Sequence, residues 1–186
     1  MLRACVDGRP FQVVYALIQP FVKICLLNAN PQDLPISAML LGLTLGAYLL
    51  ITMFMIMPVG GLSLSLQEAI LEGALLLAYT HVALRLSAHP ERYLQTVSAL
   101  AGTSVIIGIL ALPLAYSLYN SALYGHSSAP ALIAYVLVYA WLLVVYGHIY
   151  RHALSTGLVI GVLVGLGYII LTSVVIDAVF PSPELP

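Results

Sequence analysis

Glu68 and Glu72 stand four residues apart inside a long apolar stretch, so on a helix both carboxylates project from one face, with Tyr79 two turns further along it. Ionisable groups at membrane depth are costly, and they are usually paired or functional. Glu68 begins its apolar segment, where water and the helix N-terminus both favour a carboxylate. Glu72 lies one turn deeper, about 6 Å. No lysine or arginine in the same half of the apolar layer is placed to pair with it. The three residues form the candidate site: Glu68, Glu72 and Tyr79. Its chemistry is either proton, cation or partner binding, or a structural hydrogen bond of a protonated Glu72 between helices. Asp177 is the remaining acid within the apolar segments, at the far end of the last one.

Other chemistry-bearing residues form weaker sets. His148 and His152 have one-face spacing for a metal or haem ligand pair, and His81 and His89 are expected on the same side of the membrane. A zinc site needs a third ligand, and neither a cysteine pair nor a His-Glu-x-x-His pattern supplies one. Histidines near a helix C-terminus also interact favourably with its dipole. Met53 and Met57 share a helical face, which suits a copper(I) site or ordinary apolar packing. Ser127 beside His126 has neither a nearby acid nor a nucleophile-elbow glycine pattern. Cys5 and Cys25 form no metal motif and read as reduced thiols. No cofactor and no enzymatic activity are expected.

These residues hang on five apolar segments near 36–57, 66–86, 97–118, 131–150 and 157–179, each long enough to cross a hydrocarbon core of roughly 30 Å as a helix. The chain is 62% hydrophobic and 7% charged, where a soluble domain carries about 25% charged residues. A net charge of -1 excludes the basic surface that nucleic-acid binding requires. Its six lysines and arginines all fall on one side. Arg3, Arg9 and Lys23 precede the first segment, Arg85 and Arg92 follow the second, and Arg151 follows the fourth. Positive charge stays cytoplasmic, so the N-terminus is expected inside and the C-terminus outside.

Residues 10–28 are apolar but carry Gln12, Gln19 and Lys23 on one narrow stripe, with a kink expected at Pro20. Such a helix is better placed along the inner surface than across the membrane. Asn28 to Pro35 read as a turn, and Pro58-Val59-Gly60-Gly61 as the first outer connection. Gly157, Gly161 and Gly165 in the fifth segment, and Gly42 and Gly46 in the first, repeat every four residues. Small residues at that spacing let helix backbones approach closely. Ala101, Ser104, Gly108, Ala111 and Ala115 make a comparable seam in the third. These seams serve packing within the chain or self-association. Tyr135, Tyr139, Tyr146 and Tyr150 lie within about 60° of one another at 100° per residue. They read either as interfacial anchors or as a polar path.

Pro31-Gln32-Asp33-Leu34-Pro35, Arg92 to Thr103 with Leu112-Pro113-Leu114, and Gly147-His148-Ile149-Tyr150-Arg151-His152-Ala153-Leu154 resemble small bacterial membrane proteins related to the Yip (Ypt-interacting protein) domain family. The resemblance covers residues 28–180 and implies five spans, a cytoplasmic N-terminus and a non-enzymatic organiser of the membrane. The acidic motif of eukaryotic members is not evident, so a role with small GTPases does not carry over. The expected architecture is an all-α integral membrane protein with five transmembrane helices and an N-terminal amphipathic interfacial helix. Residues 1–30 form the cytoplasmic segment and 31–186 the transmembrane domain. It is expected in a bacterial inner membrane as an accessory, scaffold or assembly factor. The expected partners are other integral membrane proteins, lipid, or further copies of itself. The alternative is a small-solute or proton-coupled ion carrier using Glu68 and Glu72.

Overall fold

The computed structural model describes residues 10–125 and 128–181, with side chains from residue 15 onward. Arg3, Cys5, Arg9, His126, Ser127 and the Gln12 side chain lie outside the described residues. The architecture is all-helical, with no strand among those residues. Helix α1 spans Pro10–Cys25, α2 Ala38–Leu86, α3 Tyr93–Tyr124, α4 Ala129–Ala153 and α5 Leu158–Val179. Short 3-10 turns at Pro31–Asp33 and Pro90–Arg92 precede α2 and α3. Four helices, α2 to α5, are long and apolar enough to cross a membrane, and α1 is a shorter apolar helix.

Helix α2 has 49 residues. Straight, it would run about 74 Å, more than twice the hydrocarbon thickness. It does not run straight. Gly61 takes φ 69° and ψ −178°, a conformation open to glycine and strained for other residues. Pro58, just before it, cannot donate its turn of the helical ladder. The Ser65 hydroxyl donates to the Gly61 carbonyl at 2.7 Å, closing the restart. Across the break the two arms of α2, residues 38–60 and 62–86, fold back antiparallel. Tyr48 meets Glu72, and Gly73 faces Leu45 and Leu49 so closely that an added Cβ would lie 2.7 Å from the Leu49 side chain. The Pro58–Gly61 connection is thus a glycine break inside continuous helix rather than a loop.

Helix α3 is the central element, packed against α2, α4 and α1. Residues 96–104 along it are all buried, as are Val145 to Tyr150 on α4. That half of the bundle is tied together by polar groups at its end. Arg92 donates to the His152 and Ala153 carbonyls, both at 3.0 Å, and to the Ser155 hydroxyl at 2.7 Å, capping the C-terminus of α4. Gln95 holds the 28–35 turn through the Gln32 and Leu34 carbonyls at 2.9 and 2.7 Å, and Gln32 in turn donates to the His152 carbonyl at 2.9 Å.

Glycines set the closest approaches. A Cβ on Gly161 would strike the Gly147 carbonyl and lie 2.7 Å from the Arg151 nitrogen, so α4 and α5 touch backbone to backbone there. Gly165 continues the contact against Tyr146. Gly42, Gly46 and Gly157 are different. All three are exposed, and nothing lies within 4 Å of the Cβ each would gain. Helix α1 docks through Phe21, seated on Gly102, with Ile24 and Cys25 also buried. Its outward side chains include Tyr15, Leu17, Ile18 and Val22, all exposed and apolar, with Lys23 exposed in its last turn.

Candidate functional site

The antiparallel fold of α2 brings Tyr48 of one arm opposite Glu72 of the other, and the Tyr48 hydroxyl donates to Glu72 Oε1 at 2.7 Å. A phenol is one of the few groups that can satisfy a carboxyl here without adding a charge. Tyr168 on α5 places its hydroxyl 3.4 Å from that of Tyr48, and Tyr146 packs its ring 5.8 Å from that of Tyr168. The Tyr146 hydroxyl pairs with the Ser104 hydroxyl at 2.7 Å. All four long helices therefore meet near Glu72 through two hydroxyl pairs joined by the contact between the Tyr146 and Tyr168 rings.

On the Gly61 side of this layer lies a cavity of about 510 Å³. Glu72, Glu68, Tyr48 and Thr52 line it from α2, Ser104 and Gly108 from α3, Tyr139 and Tyr146 from α4, and Tyr168, Thr172 and Asp177 from α5. Its volume falls within the roughly 300–1,000 Å³ of small-molecule sites. Glu68 is half-buried and Asp177 exposed, so the cavity opens at its Gly61 end. None of the residues lining it is basic. The hydroxyl of Thr172, on the same wall, is buried and without a hydrogen-bond partner.

Glu68 and Glu72 thus share one cavity, but Tyr79 does not reach it. Two turns away, Tyr79 donates to the Val164 carbonyl of α5 at 2.7 Å, in space left by Gly167. Tyr146 and Tyr150 are buried inside the bundle rather than placed at a lipid boundary, Tyr150 paired with the Thr80 hydroxyl at 3.2 Å. Tyr135 and Tyr139 stack with ring centroids 4.6 Å apart. His148 bonds the Ala29 carbonyl through Nε2 at 2.9 Å, and its ring lies 4.8 Å from that of His152. This ties α4 to the turn after α1. Among the described residues no three His, Cys, Asp or Glu side chains are grouped to hold a metal ion.

Tyr48, Tyr168 and Thr172 belong to this site and were not singled out in the sequence. The pairing of Tyr48 with Glu72 follows only once the turn is fixed at Gly61, since positions 48 and 72 lie nearly equidistant from that glycine. Comparison with protein-family models, curated proteins and solved structures found no match for this chain. The site therefore rests on its own geometry.

Proposed function

We propose that this protein is a non-enzymatic, five-span membrane protein that binds a small solute in the Glu72 cavity. The observation that carries this reading is a solute-sized cavity, lined by all four long helices, with a carboxyl held at its base by Tyr48. The five-span reading counts the two arms of α2 as separate spans beside α3, α4 and α5, and the break at Gly61 supports it. Lys23, Arg85, Arg92 and Arg151 all lie at the end opposite Gly61, which supports a cytoplasmic N-terminus, a C-terminus outside and a cavity facing outward. The same charge bias suits a bacterial inner membrane. Helix α1, too short to cross, has an apolar outward face and an exposed lysine, which suits a helix seated at the inner boundary.

The test is a single cysteine at Thr172 in protein lacking Cys5 and Cys25. A membrane-impermeant thiol reagent applied outside should modify it in intact cells. Modification only after unfolding would mean a sealed interior and would remove the solute-binding reading.

A second reading, an accessory or scaffold protein resembling the Yip-domain family, draws on Gly42 and Gly46. Both are exposed on the first arm of α2, with nothing among the described residues within 4 Å of an added Cβ, and such a surface suits close approach by another transmembrane helix or a second copy. Mild-detergent purification separates the readings. A stoichiometric membrane partner lost on Gly46→Leu would favour the scaffold.

A further inference from the structure

We infer that the solute class taken by this cavity is a small organic cation, an ammonium group with apolar substituents. The inference rests on the solute-binding reading above and names its chemistry. Among the described residues, three acids, Glu68, Glu72 and Asp177, are the only charged side chains that line the cavity. An anion would meet these three carboxyls and no basic side chain among the lining residues. A neutral solute would leave the Glu72 carboxyl with nothing better than its phenol partner.

Part of the wall is aromatic, beside aliphatic side chains such as Ile51, Ile107 and Ile176. Tyr48, Tyr139, Tyr146 and Tyr168 all contribute, and ring faces attract a cation by about 0.5–2 kcal/mol each, most where water is excluded. Choline-like and methylated ammonium groups are bound by such aromatic enclosures. A bare metal ion fits poorly. Calcium takes 6–8 oxygen ligands and magnesium near-ideal octahedral geometry, whereas the described residues hold no cluster of three acidic, histidine or cysteine side chains. The volume of about 510 Å³ also far exceeds an ion. Asp177, exposed, and Glu68, half-buried, stand at the open end, where they would draw a cation in. Glu72 stands at the base as its counter-ion. The unpartnered hydroxyl of Thr172 offers one further oxygen, suited to a polar substituent such as the hydroxyl of an amino alcohol.

Binding is tested on the full chain in lipid nanodiscs, by thermal shift and calorimetry. The probes are choline, its neutral carbon isostere 3,3-dimethylbutan-1-ol, and acetate. Choline should bind, with the isostere and acetate at least tenfold weaker. Glu72→Gln, which keeps an acceptor for Tyr48, should lower choline affinity at least tenfold. Asp177→Asn should lower it less and flatten its dependence on salt. Equal binding of choline and its isostere would overturn the cation assignment while leaving a solute site. Binding of none of the three probes would overturn the cation assignment, and the labelling of Thr172→Cys then decides separately whether the cavity is open at all. The isostere comparison needs no variant, so a Glu72→Gln protein that fails to fold does not blunt the result.

Discussion

Replacing Gly161 by alanine should destabilise the protein, although alanine is the better helix former. A Cβ at this position would overlap the Gly147 carbonyl and lie 2.7 Å from the Arg151 nitrogen. Both are backbone atoms of α4, so no side-chain rotation relieves the clash and the helices must separate. Overpacking of this kind costs about 1–3 kcal/mol. Relief of glycine's conformational entropy offsets about 0.5–1 kcal/mol of that. Because the clash is with fixed backbone atoms, it outweighs that relief and leaves a net loss of up to about 2.5 kcal/mol, and leucine should be worse. Gly42→Ala is the matched comparison, because it changes the same residue type inside a helix with nothing within 4 Å. It should be neutral or stabilising by up to about 1 kcal/mol. Thermal or steric-trap unfolding in one detergent should rank Gly42→Ala, wild type and Gly161→Ala in falling stability. Equal effects at the two glycines would refute the backbone contact between α4 and α5.

Glu72→Leu should lose about 1–3 kcal/mol by stranding the Tyr48 hydroxyl, while Glu72→Gln stays close to wild type; chemical or thermal unfolding distinguishes them. His148→Phe removes the bond to the Ala29 carbonyl, so hydrogen exchange at residues 26–34 should accelerate, and unchanged protection would deny that tether. Burial pushes the Cys25 thiol up to about 11. In a Cys5→Ser background it should resist alkylation at neutral pH until the protein unfolds. Its raised value stabilises the fold below the ordinary cysteine range of about 8.5, and that contribution is lost as pH rises from there towards the folded value. Cys25→Ala should therefore flatten the alkaline fall in stability. For orientation, a cysteine at Asn120 should react with an impermeant reagent from outside and one at Ser87 should not; the reverse pattern would invert the proposed topology.

Apolar length made the helices readable, because about 20 apolar residues announce a membrane-length helix whatever their order. The break near Pro58 and Gly61 was equally visible, although the structure keeps helix on both sides of it instead of a loop. Glycine spacing was a poorer guide. Gly161 and Gly165 pack tightly, while at Gly42 and Gly46, with the same spacing, an added Cβ would have nothing within 4 Å among the described residues. Spacing says which residues share a face, but not which helix stands opposite. Gly147, the true counterpart of Gly161, has no glycine four residues away and so gave no signal. The same limit applied to the site. Glu68 and Glu72 were visible as acids out of place, whereas Tyr79 shares their face and bonds elsewhere, and Tyr48 and Tyr168 enter only through tertiary contact.

The two halves of the bundle differ in how their polar groups are spent. Towards Arg92, Tyr79 is bonded to Val164, Tyr150 to Thr80, His148 to Ala29 and Thr103 to its own helix, and the Ser98 and Thr156 hydroxyls are buried without a partner. Towards Gly61 the cavity opens between the helices, Thr172 has no hydrogen-bond partner, and Glu72 lines the open space. The boundary is the layer where Tyr48 meets Tyr168 and Tyr146 meets Ser104. A solute bound at Glu72 could pass further only if both pairs parted. Tyr146 and Tyr168 lie on α4 and α5, the two helices joined backbone to backbone at Gly147 and Gly161, whereas Tyr48 and Ser104 lie on α2 and α3. Separation of the α4–α5 pair from α2 and α3 is therefore a single movement that opens both contacts together.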